Sequence, residues 1–105
     1  LASKFETVPG SLDKWMALLR SEGLVDGAGR FTMAPGAKGK GKLIAVWVAA
    51  VEVFSLVAYP LDTELSKALI AHFPGLTGLD RLDKVRKTKG FTATVERCKE
   101  ALQDD

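Results

Sequence analysis

The sequence predicts an all-α protein: a compact, single-domain bundle of about five helices around a central apolar helix at 43–59, with a Gly/Lys-rich loop before it. Three observations predict it. The run Leu43 to Tyr59 (LIAVWVAAVEVFSLVAY) carries one charge, Glu52, and one other plainly polar side chain, Ser55, so the rest of the chain has to cover it. Elsewhere apolar residues recur at helical spacing, and Pro and Gly separate those stripes at short intervals. Finally, 105 residues with 47% hydrophobic and 27% charged side chains suit one globular core that needs no metal or disulfide staple.

Residues 1–8 show no clear period and read as a loosely attached arm, from which Phe5 and Val8 could dock on the core. The first helix follows Pro9-Gly10. Ser11 is suited to cap it, Asp13 complements its positive start, and Leu12, Trp15, Met16 and Leu19 form one apolar stripe. Gly23 supplies the left-handed position that ends it near Glu22, and Leu24 is the apolar residue expected next.

Residues 25–42 (VDGAGRFTMAPGAKGKGK) read as a flexible loop, with a turn at Asp26-Gly27 and a short extended piece at Arg30 to Met33. The run that follows contains β-branched residues suited to strands, but its four alanines, its length and the absence of a central turn residue favour a helix. As a helix, its deepest residues are Leu43, Trp47, Val51, Phe54 and Ala58. Its least apolar edge is Ala45, Ala49, Glu52 and Ser55, where small side chains would let another helix, from this chain or a second copy, approach closely. As a membrane span the run would reach only ~26 Å against a hydrocarbon core of ~30 Å, with Glu52 near its middle. A buried core helix avoids that penalty.

Pro60 ends the run. A third helix at 64–73, capped by Asp62 or Thr63, turns Leu65, Ala68, Leu69 and Phe73 inward before Pro74-Gly75 stops it. Thr77 and Asp80 resemble a capping box opening a fourth helix with Leu79, Leu82 and Val85 inward. A last helix, about Thr92 to Gln103, places Val95, Cys98 and Leu102 on one face.

The net charge of +2 conceals two basic clusters: Lys38, Lys40 and Lys42 before the central helix, and Arg81, Lys84, Arg86, Lys87 and Lys89 on and after the fourth. Gly36 to Leu43 matches the phosphate-cradling pattern G-x-x-x-x-G-K-[ST] at every position but the last, where Leu43 has no hydroxyl for magnesium. No strong strand precedes it and no alternation of strands and helices follows, so a basic loop that touches phosphates, or is simply solvated, fits better than a nucleotide-hydrolysing one. The Phe73 to Thr77 connection is long for a helix-turn-helix.

His72 sits near a helix C-terminus, where the dipole favours a protonated ring, and lacks a catalytic partner. Cys98 reads as a packed small hydrophobe, and Trp15 and Trp47 as core. The single cysteine excludes an internal disulfide and slightly favours a reducing, intracellular compartment. A chain that opens on Leu1 without a basic-then-apolar leader reads as trimmed or partial. Without paired carboxylates, metal-ligand spacing or a serine elbow, the expectation is a non-enzyme with no catalytic residues, metal or cofactor. The reading is a nucleic-acid-binding domain that contacts RNA or DNA phosphates, largely non-specifically, through both clusters. The alternative is a self-assembling or partner-docking module, such as a viral, phage or scaffold structural protein, that forms a homo-oligomer through the Ala45, Ala49, Glu52 and Ser55 edge.

Overall fold

The computed structural model describes residues 2–32, 37–73, 76, 79 and 82–103. Among them, a 3-10 turn (Ala2–Phe5) leads into five helices: α1 (Ser11–Ser21), α2 (Ala37–Phe54), α3 (Asp62–His72), α4 (Leu82–Arg86) and α5 (Phe91–Gln103). The described residues form no strand beyond an isolated antiparallel bridge between Val25 and Phe31.

The central helix exists, but both of its ends lie earlier than the apolar pattern implies. It begins at Ala37, inside the stretch read as flexible loop. Once Leu43 to Phe54 is helical, each residue added in front gains a hydrogen bond without a new nucleation cost, and Gly39 and Gly41 are tolerated. It ends at Phe54. Ser55 adopts a left-handed backbone (φ 54°), and the Leu56 N–H reaches back to the Val51 carbonyl at 3.0 Å. Pro60 disfavours helical geometry at Tyr59, and by leaving the helix the chain buries Leu56 and lays the Tyr59 ring 5.9 Å from Trp47. Val57 and Ala58 are exposed as a result.

From Leu43 to Val46 the helix is buried all round, as are Trp47, Ala49 and Ala50. Val51 and Phe54, expected among the deepest, are half-buried, because α2 emerges from the core as it nears Ser55. The helix makes its most extensive contact with α5. Lys99 on α5 lies 3.4 Å from Glu52, so α5 is the helix that runs along the Ala45, Ala49, Glu52 edge. The expected oligomer edge of Ala45, Ala49, Glu52 and Ser55 is thus covered in part by a helix of the same chain. Ala45 and Ala49 are fully buried within one chain, and only Glu52 and Ser55 of the four reach solvent.

Helix α1 follows its stripe, with Trp15 and Leu19 buried and Leu12 and Met16 half-buried. Its C-terminus is the expected left-handed stop. Gly23 has φ 76°, its N–H donates to the Arg20 carbonyl, and the N–H of buried Leu24 donates to the Leu19 carbonyl. The N-terminus differs: Gly10 occupies the cap position, and the buried Ser11 hydroxyl donates to the Val8 and Phe5 carbonyls at 2.7 and 3.1 Å. Ser11 thereby holds the arm rather than capping the helix. Phe5 is buried and stacks on Trp15 at 5.0 Å, and Lys4 lies 4.7 Å above the Tyr59 ring.

The turn after α1 is closed by Asp26, whose Oδ1 accepts the Ala28 and Arg30 N–H groups. Those bonds favour the carboxylate and hold its pKa below the ordinary range. Helix α3 starts without a side-chain cap, since Asp62 is already helical and its carboxylate pairs with Arg86 at the end of α4. Leu65, Leu69 and Phe73 are buried as expected, and α5 buries Val95, Cys98 and Leu102. The proposed Thr77/Asp80 capping box, the Pro74-Gly75 stop and Arg81 lie outside the described residues. Arg97 on α5 pairs with Glu22 at the end of α1, which ties the last helix to the first.

Candidate nucleic-acid interface

Where the start of α2 meets the joint between α4 and α5, the surface opens into a cleft of ≈ 280 Å³ lined by Gly41, Lys42, Val85, Thr88, Lys89, Gly90, Phe91 and Thr94. Local chemistry shapes the joint. After α4 the Lys87 and Thr88 N–H groups still donate to the Lys84 and Val85 carbonyls, and Thr88 Oγ1 donates to the Lys84 carbonyl at 3.2 Å. Gly90 takes the left-handed conformation (φ 89°) that redirects the chain, a geometry costly for any residue with a side chain. Its carbonyl then accepts both the N–H and the hydroxyl of Thr94, which fixes the first turn of α5.

The cleft has two characters. Val85 and Phe91, both half-buried, present apolar surface, while Lys42 and Lys89 supply positive charge at its margin. One lysine comes from each basic cluster.

Of the other cationic candidates, Lys84, Arg86 and Lys87 are exposed. Arg86 is already committed, with Nη1 2.5 Å from Asp62 Oδ1. Asp62 lies in the first turn of α3, where the helix dipole favours a negative charge. The backbone of Lys38 and Lys40 belongs to α2, so they are not on a loop, but their side chains lie outside the description, as does Arg81.

Of the remaining candidates, Trp15, Trp47 and Cys98 are buried and His72 is half-buried. Trp15 and Trp47 meet at 6.0 Å in an aromatic cluster with Phe5 and Phe73. His72 packs 4.7 Å from Phe73 and 5.8 Å from Trp15. Burial there holds its pKa below the ordinary value, opposite in direction to the helix-dipole effect expected from its position. Burial likewise pushes the Cys98 thiol up, and it remains protonated near neutrality. Among the described residues no cluster of His, Cys, Asp and Glu could hold a metal ion, and no helix is long and apolar enough to cross a membrane.

Sequence patterns point to neither Phe91 nor Thr94, and to Val85 only as an inward residue of the fourth helix. The available signal was local: an aromatic residue placed directly after a basic run and a glycine. Comparison with protein-family models, curated proteins and solved structures finds no match to this chain.

Proposed function

We propose that the chain is a non-enzymatic nucleic-acid-binding domain that holds phosphates at the margin of the α2/α4–α5 cleft. The observation that carries this reading is that Lys42 and Lys89, one from each basic cluster, line the same cleft. Two ammonium groups on adjoining elements can neutralise neighbouring phosphates, and most of the binding free energy would come from counterions released on contact. The neighbouring Lys84 and Lys87 extend the positive field, whereas Arg86 would have to give up Asp62 before joining it. Assembly through a helix edge is the weaker reading, because Ala45 and Ala49 are covered by the chain itself.

The test is binding of short fluorescent RNA and DNA at a series of salt concentrations, for the native chain and for Lys42→Ala/Lys89→Ala. Native binding should weaken steeply with salt, and the double substitution should reduce the slope of log K against log salt by about 1.5. Absence of binding at low salt, or an unchanged slope in the variant, refutes the proposal.

A further inference from the structure

The same cleft carries an inference about which nucleic acid is bound, and it rests on the phosphate reading above. A surface that only neutralises phosphates needs charge and no apolar lining. Here the lysines border apolar surface from Val85 and Phe91, and Phe91 is the ring beside them, since Trp15 and Trp47 are enclosed in the core. The polar groups are also specific in kind. The hydroxyls of Thr88 and Thr94 donate to the Lys84 and Gly90 carbonyls, which leaves each oxygen with lone pairs to accept a further hydrogen bond. Those lone pairs suit an N–H on the edge of a heterocycle. At ≈ 280 Å³ the cleft lies just below the usual range of small-molecule pockets, which suits one ring system.

We infer that this cleft takes an unpaired nucleobase of a single-stranded nucleic acid, its ring against Phe91 and Val85, its edge N–H toward Thr88 or Thr94, and the adjoining phosphates on Lys42 and Lys89. A base held in a duplex offers neither its face nor its pairing edge, so the site selects single strands. It is tolerant of sequence, because every base has a π-face to stack.

The test compares a short thymidine oligomer, an abasic strand of the same length and a duplex, by fluorescence anisotropy at one salt concentration and then across a salt series. The native chain should bind the thymidine oligomer about 5- to 150-fold more tightly than the abasic strand, with equal salt slopes, because the two differ only in the stacked base. Phe91→Leu, which keeps an apolar side chain at the joint, should remove most of that ratio and leave the salt slope unchanged. Should that variant fail to fold, the native comparison of thymidine and abasic strands decides alone. Equal affinity for both, with a steep salt slope, overturns the base site while the phosphate reading stands. No binding of either at low salt overturns both.

Discussion

Replacing Ser55 by glycine tests where the central helix ends, because the two possible endings predict opposite signs. Ser55 has φ 54° and an exposed side chain, directly after the last helical residue, Phe54. A residue with a Cβ pays roughly 1–2 kcal/mol for that left-handed conformation. Glycine removes the penalty but gives back about 0.5–1 kcal/mol through the greater freedom of the unfolded chain. The net expectation is a gain of about 0.5–1 kcal/mol, which for a chain of this size is a rise in Tm of about 2–4 °C. Were the helix instead to run on to Tyr59, position 55 would be helix interior and the same change would cost about 0.5 kcal/mol. Thermal and urea unfolding followed by far-ultraviolet circular dichroism reads the difference, with Ser55→Val as a control. Valine keeps the left-handed penalty and adds a branched side chain, so it should destabilise. A Ser55→Gly variant less stable than the native chain refutes the left-handed ending and with it the early exit of α2.

Two further outcomes follow from the same geometry. Gly41 lies within α2, and a Cβ built there would meet nothing within 4 Å, so Gly41→Ala should raise stability by about 0.5–1 kcal/mol in urea unfolding; no change would place Gly41 outside the helix. Burial makes the folded His72 imidazole a weaker base than in the unfolded chain, so below its ordinary pKa of 6.5 the unfolded state binds more protons. The stability that His72 contributes above that value should be lost as pH falls through the folded pKa. The urea midpoint should therefore drop between pH 7 and 5 in the native chain and drop less in His72→Phe; parallel curves would refute the assignment.

Local chemistry was the legible part of the sequence. The Gly23-Leu24 stop of α1 and the Val95, Cys98, Leu102 face of α5 each depend on residues a few positions apart, and patterns at that range can be read directly. The ends of α2 were misread because hydropathy marks what is buried and not what is helical. Leu56 and Tyr59 are as apolar as the helix, yet they reach the core from a segment that is not helical. Ser11 had the composition of a cap, but its hydroxyl found the carbonyls of an arm whose own position depends on Trp15. The candidate cleft was legible only in halves. Both basic clusters stand out in the sequence, but their meeting at Lys42 and Lys89 depends on how α5 packs along α2, and no local pattern encodes that. The pairing of Arg86 with Asp62 of α3 is likewise encoded by no local pattern.

The aromatic cluster also gives the molecule a built-in optical reporter. Trp15 and Trp47, 6.0 Å apart with ring planes at 72°, are close enough for their excited states to couple, and Phe5 lies against both rings. Their near-ultraviolet dichroism should therefore register a lifting of the first few residues before the helices themselves melt. Neither indole lines the cleft. A change in tryptophan emission when a strand binds would then signal rearrangement transmitted through α2, and a silent emission would mean that the ligand is held on a rigid surface.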